Sequence, residues 1–201
     1  MKTILREAES AFEVKRSRFI GRTFKCGSPA EALAAVKRVR ESHHDATHHC
    51  WAFRTGPGAE QARYDNSGEP QGTAGPPILD VLKHGSLTNT LIVVTRYYGG
   101  TKLGAGGLVR AYGEAAKRAV EASGIVELRI LKEISATVPY AHLALLEAYI
   151  SREGFEVASK DFGEHVVLRV LVPEERERDF KAFYAGLNRG GKTAAAAKEK
   201  S

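Results

Sequence analysis

Between Thr90 and Gly124 the chain passes from an apolar strand through a glycine-rich loop into a helix, and this order restricts the fold more than any other stretch. Leu91-Ile92-Val93-Val94, set between Thr90 and Thr95, is dominated by β-branched residues with no turn residue, the pattern of a buried strand. Arg96-Tyr97-Tyr98-Gly99-Gly100-Thr101-Lys102-Leu103-Gly104-Ala105-Gly106-Gly107 follows as a glycine-rich loop. Leu108, Tyr112, Ala115, Ala116, Ala119 and Val120 then recur at helical spacing, and Gly124 marks the stop. Strand, glycine loop and helix in this order turn backbone N–H groups toward an anion.

Arg96 to Arg110 is therefore the candidate working surface. Arg96, Lys102 and Arg110 are candidate phosphate contacts, and Tyr97 and Tyr98 candidate stacking platforms for bases. Gly99, Gly100, Gly104, Gly106 and Gly107 let a backbone approach phosphate closely. The same glycines would equally serve tight strand–helix packing, and strand alternation sends one of the two tyrosines inward. The loop is not a P-loop, because Lys102 lacks the Gly-Lys-Ser/Thr context, and Val109 occupies the third glycine position of a dinucleotide fingerprint begun at Gly104. No cofactor is expected.

A formal net charge of +6 favours anionic partners, RNA above all, although part of that charge is spread thinly. Cys26 and Cys50 are the only cysteines, which is no disulfide framework and fits a reducing compartment. Met1 to Ser10 has no apolar core and does not read as a signal peptide, so a cytoplasmic protein off the membrane is expected.

Phe12 to Cys26 reads as two strands around the basic turn Lys15-Arg16-Ser17-Arg18. Ser28-Pro29-Ala30-Glu31 opens a helix that ends near Ser42. His43-His44-Asp45-Ala46-Thr47-His48-His49-Cys50 is rich in metal-ligating types, yet it matches no zinc template. In an extended segment only His48 and Cys50 would converge, so His49 or Cys50 is expected to pack at the start of a strand through Trp51-Ala52-Phe53-Arg54, with no metal. Tyr64 to Gly75 is a polar loop. Its Asp65 and Glu69 could act as general acid and base or as magnesium ligands, or could hold turns and cap the next helix, and composition favours the structural role. Pro76-Pro77 begins a helix stopped at Gly85.

Beyond Gly124 the pattern changes. Leu128 to Val138 alternates like a strand, Tyr140 to Glu153 is helical, Phe155 to Phe162 and His165 to Val172 form a hairpin around Gly163, and Pro173 to Leu187 is a charged helix. This β-α-β-β-α order is most of a ferredoxin-like split βαβ unit, so the chain divides into residues 1–127 and 128–188, with a loose tail over 189–201.

Asn66-Ser67-Gly68-Glu69-Pro70 with Gly72-Thr73-Ala74-Gly75, then Val94-Thr95-Arg96-Tyr97-Tyr98-Gly99-Gly100, Lys102-Leu103-Gly104 and Gly106-Gly107-Leu108-Val109-Arg110-Ala111-Tyr112, resemble the signature of the IMPACT family. Ser17-Arg18-Phe19-Ile20 and Asp45-Ala46 with His48-His49-Cys50-Trp51-Ala52 add to the resemblance, which spans Glu13 to Glu127. It implies two α/β (α+β) domains, the first similar to the second domain of ribosomal protein S5, the second ferredoxin-like as in the last domain of elongation factor G. It also implies a role in regulating translation, and it carries over no catalytic residue. Two positions depart from the family pattern: Pro76 stands where a basic residue is usual, and Asn66-Ser67 where two aspartates are usual.

Three functions follow as expectations. The first is a translation-associated protein that binds RNA or the ribosome through the basic glycine loop. The second is a hydrolase acting on an anionic or peptide substrate, with Cys50, His49 or His48, and Asp65 or Glu69 as nucleophile, base and orienter. The third is a protein-interaction regulator without intrinsic activity.

Overall fold

The computed structural model describes residues 1–198, with side chains through Leu187. It divides into two compact units, 1–128 and the chain from Arg129 onward. The first unit contains β1 (Lys2–Ile4), β2 (Ala8–Val14), β3 (Ser17–Lys25), α1 (Pro29–Ser42), β4 (His48–Thr55), β5 (Gln61–Asp65), α2 (Gly75–His84), β6 (Thr90–Tyr97), α3 (Ala105–Ser123) and β7 (Ile125–Glu127). Five of its strands form an antiparallel sheet in the order β2-β3-β6-β4-β5. A second, two-stranded sheet pairs β1 with β7.

β6 is the middle strand, and its uninterrupted apolar run follows from burial on both faces. Ile92 and Val94 enter one core with Phe19, Cys50 and Ala52, covered by Ile78 and Leu82 of α2 and by Leu108, Tyr112, Ala115 and Ala116 of α3. Leu91 and Val93 enter the opposite core with Trp51, Phe53 and Cys26, covered by Ala32, Ala35, Val36 and Val39 of α1. A strand buried on both faces has no reason to alternate apolar with polar residues.

The helix starts are fixed locally. Ser28 Oγ accepts from Glu31 N–H, and the Glu31 carboxylate reaches back to Gly27 N–H at 2.9 Å, satisfying two orphan donors at the start of α1. Gly75 N–H at the start of α2 is held by Asn66 Oδ1 at 2.8 Å. No side chain caps α3, whose N-cap is Gly104.

The second unit contains β8 (Leu131–Val138), α4 (Tyr140–Glu153), β9 (Glu156–Phe162), β10 (Val166–Pro173), a single 3-10 turn at Glu174–Arg176 and α5 (Glu177–Lys198). Its antiparallel sheet has the order β8-β10-β9, the ferredoxin-like arrangement without a fourth strand. Leu146 and Ile150 of α4 and Phe180 of α5 pack on Ala136, Val138, Leu168 and Val170. α5 continues to Lys198, across most of the segment expected as a tail from 189, and residues 199–201 lie outside those described.

Three sequence expectations are revised, and two short strands are new. β5 occupies the start of the segment read as a loop from Tyr64. The strand expected from Trp51 begins three residues earlier, at His48. β1 and β7, three residues each, are too short to show any period. Gly106 and Gly107 belong to the first turn of α3 rather than to the loop, which ends at Gly104.

Candidate functional site

The loop from Tyr98 to Gly104 joins the end of β6 to the start of α3, and the Lys15–Arg16 turn between β2 and β3 packs against it. A Cβ at Gly99 would collide with the Arg16 carbonyl, so only glycine permits this approach. Gly99 N–H donates to Ser17 Oγ at 3.2 Å, and Tyr98 N–H donates to Thr47 Oγ1 at 3.0 Å. The loop is thus tied to the β2–β3 turn on one side and to the start of β4 on the other.

Arg96 does not offer its charge outward. It is 5% exposed, and its Nη1 donates to Glu69 Oε1 at 2.6 Å while Nη2 donates to Ser17 Oγ at 3.2 Å. Its guanidinium lies 5.4 Å from the ring centres of both Phe19 and Tyr98. Arg96 Nε is buried without a partner. Glu69, expected as a loop acid, is equally internal, and its Oε1 also accepts from Tyr112 Oη at 2.7 Å. Tyr112 reads in sequence only as part of a helical stripe; here burial raises its phenol above the ordinary range, and it donates to the carboxylate.

The two tyrosines separate as strand alternation requires. Tyr97 is half-buried; its Oη donates to Asp45 Oδ1 at 3.1 Å and lies 2.8 Å from His43 Nδ1. Tyr98 is 44% exposed, with the Arg96 guanidinium over its ring. Gly100, Lys102 and Arg110 are also exposed. Asp65 holds a turn, accepting from Ser67 N–H at 2.6 Å.

The Cys50, His49 and Glu69 set of the hydrolase expectation does not assemble. Successive residues of β4 face opposite sides of the sheet. His49 Nε2 is 3.1 Å from the His43 carbonyl and Nδ1 is 3.2 Å from Thr95 Oγ1, whereas the Cys50 thiol donates to Asn66 O at 3.0 Å. Burial pushes the Cys50 thiol up to about 12, the reverse of an activated nucleophile. His48 does share the Cys50 side. Its Nδ1 meets the Ser67 carbonyl at 2.8 Å; a carbonyl only accepts, so Nδ1 carries the proton and Nε2 lies 3.8 Å from Glu69 Oε1. The histidine rings thereby take different partners: Tyr97 for His43, the Ser67 carbonyl for His48, and Thr95 with the His43 carbonyl for His49. No group of three metal-ligating side chains gathers among the described residues.

Two clefts flank the loop. One, of ≈ 510 Å³, is lined by Thr47, His48, Glu69, Arg96, Tyr98 and Lys102, with Ala105 of α3 at its wall. The other, of ≈ 600 Å³, is mainly apolar, with Phe12, Val14 and Val109 beside Lys15 and Arg110. Leu103 lines both and divides them.

These residues fall within a match to the Impact N-terminal domain over residues 15–120, more than half of the chain, and a domain of unknown function (DUF1949) matches residues 137–183. The IMPACT family member YvyE of Bacillus subtilis is 32% identical over 188 residues, 94% of this chain and 87% of that protein. The family member YigZ of Escherichia coli is 36% identical over 180 residues, 89% of this chain and 88% of that one. A solved structure described as that of a hypothetical protein is 34% identical, with a TM-score of 0.63 over 94% of this chain and 93% of its own. Both domain matches lie in sequence order on the two units, the loop-bearing signature from Asn66 to Tyr112 lies wholly within the first, and the chain belongs to the IMPACT family.

Proposed function

We propose that the chain is a translation-associated regulator that binds RNA or the ribosome through the exposed rim of the glycine loop. The packing of Gly99 on the Arg16 carbonyl carries this reading, because it brings basic residues that are far apart in sequence, Lys15 and Arg16 against Lys102 and Arg110, to one edge of the unit. Lys15 and Arg16 on the turn, Lys102 on the loop and Arg110 on α3 are all exposed. None of the four forms an ion pair among the described residues. Unpaired cations beside an exposed aromatic ring, here Tyr98, suit a single-stranded polyanion that presents phosphates and bases together. Arg96 takes no part in that contact, being committed to Glu69 and Ser17.

The test is fluorescence anisotropy with single-stranded and structured RNA across a salt series. Each phosphate neutralised on a single strand contributes about −0.7 to the slope of log K against log salt. A Lys15→Ala/Arg110→Ala variant is expected to weaken binding and to reduce that slope by about 1.4, while keeping the parent's unfolding curve. Absence of binding to either RNA at low salt removes the reading.

A further inference from the structure

The ≈ 600 Å³ cleft lies between β2 and α3 and is too apolar to be explained by a polyanion rim. α3 sits tight over β3 at Gly21, so the cleft opens on the β2 side, where the sheet ends. β2 has a strand neighbour on one side only. Lys15 and Arg16, at φ 46° and 64°, form a two-residue turn of the I′ kind between Val14 and its partner Ser17. Val14 and Ser17 therefore exchange both backbone bonds, and alternation turns the N–H and C=O groups of Glu9, Ala11 and Glu13 away from β3. Phe12 and Val14 point their side chains to the α3 face and line the cleft. Gly113 supplies an independent observation. It stands in the middle of α3, where glycine costs stability relative to alanine. A Cβ there would meet nothing within 4 Å, so no packing within the fold asks for glycine. Its missing side chain widens the cleft, as suits a close approach to the helix from outside. Charge selects among occupants. Lys15 and Arg110 line the cleft with no ion pair among the described residues, whereas Glu114 is spent on Arg118 at 2.6 Å. A second copy of this chain is a poor occupant, because the fullest antiparallel pairing of β2 on itself, about Ala11, sets Glu9 opposite Glu13.

We propose that the β2 edge and this cleft take the C-terminal tail of a partner polypeptide as an added strand. Alternate apolar side chains of the tail lie against Phe12, Val14 and Gly113, and its terminal carboxylate meets Lys15 and Arg110. The edge backbone groups supply strand pairing, and the alternate side chains supply specificity. Side chains on the other face of the tail come beside Glu9 and Glu13, so cations suit those positions. Leu103 walls this cleft from its neighbour, so a chain that stops there fits better than one that must continue past it. The inference goes beyond the polyanion reading and does not rest on it, since phosphates have no use for apolar walls or a strand edge. Lys15 and Arg110 serve in both, so the experiment turns on Gly113 instead.

The experiment is fluorescence anisotropy of the full chain with an octapeptide of alternating lysine and valine, labelled at its N-terminus and ending in valine with a free carboxylate. The same peptide ending in an amide is the control. The acid form is expected to bind saturably, and the amide form about tenfold or more weaker. Gly113→Leu fills the cleft with a better helix former, so its unfolding midpoint holds or rises. It is expected to lose about tenfold or more in affinity for the acid peptide while RNA binding stays unchanged. Ala11→Pro removes one outward N–H from an edge strand, a place where proline is tolerated, and is expected to weaken the peptide likewise. A chain that binds no RNA and still binds the acid peptide loses the polyanion reading and keeps this one. No saturable binding of the acid peptide, equal binding of acid and amide, or unaltered affinity in Gly113→Leu overturns the inference.

Discussion

The Arg96 guanidinium donates to the Glu69 carboxylate at 2.6 Å, with side chains only 6% and 3% exposed, and Tyr112 donates to the same oxygen. The pair joins β6 to the loop before α2, and Tyr112 extends it to α3. Removing one member of a buried ion pair strands the other, at a cost of about 3–5 kcal/mol, whereas replacing both by apolar residues of similar size is often close to neutral. Glu69→Ala is expected to destabilise the first unit by about that amount. Glu69→Leu/Arg96→Met is expected to cost well under the sum of its single variants. Denaturant unfolding followed by Trp51, the sole tryptophan, measures both, and additive single effects would contradict the coupling.

Gly21 of β3 lies so close beneath α3 that an added Cβ would run into the Ala115 carbonyl and approach the Ala119 side chain. Gly21→Ala therefore forces strand and helix apart. Overpacking of this kind costs about 1–3 kcal/mol, and the same Trp51-detected unfolding reads it. An unchanged midpoint would show that α3 can slide without penalty.

Burial holds the His49 imidazole below its ordinary value of 6.5, opposed in part by the His43 carbonyl that accepts from its ring. His43 is lowered as well, by burial and then by the nearby Arg22. The unfolded chain therefore binds more protons than the folded one between the lowered values and 6.5. Stability from these rings is complete above that value and falls as the pH drops below it. Unfolding midpoints are expected to decline from neutral toward mildly acidic pH, with a shallower decline in His49→Gln. A parent curve that stays flat through this window would remove the assignment.

Cys26 and Cys50 are both buried, and burial pushes each thiol up to about 12. Thiolate is the reactive form. Neither cysteine should react with a disulfide reagent at neutral pH in the folded protein, and both should react once denaturant is added. Prompt labelling of Cys50 in the native state would reopen it as a nucleophile.

The fold was legible where local chemistry decided it. The Ser28–Glu31 capping box, the β-branched run of β6 and the glycine stop after α3 each act within a few residues, and each element falls where its pattern lies. β5 was not legible, because an edge strand with four of its five residues exposed shows no hydrophobic alternation. At the site, Tyr98, Lys102 and Arg110 lie exposed. Arg96 does not, and a cation next to a glycine loop looks like a phosphate contact until its counter-charge is located. That charge, Glu69, is 27 residues from Arg96, and the second donor to it, Tyr112, is 43 residues from Glu69. Nothing in the spacing of either residue records the meeting. Cys50 and His49 likewise look like neighbours in sequence and are separated by the pleat of one strand.

The short β1–β7 pairing joins Lys2–Ile4 to Ile125–Glu127, so the first unit begins and finishes at the same place. β3 meanwhile waits for β6, whose residues follow it by about 70 positions, before it gains its inner neighbour. A chain emerging from the N-terminus thus finds its first partners at Ser86 to Thr90, where Lys2 bridges Leu87, and completes the β1–β7 ladder only when Glu127 has been made. The last pairing of this unit is consequently one that waits for its final strand, and trimming either end of the chain segment 1–128 removes the same fastening.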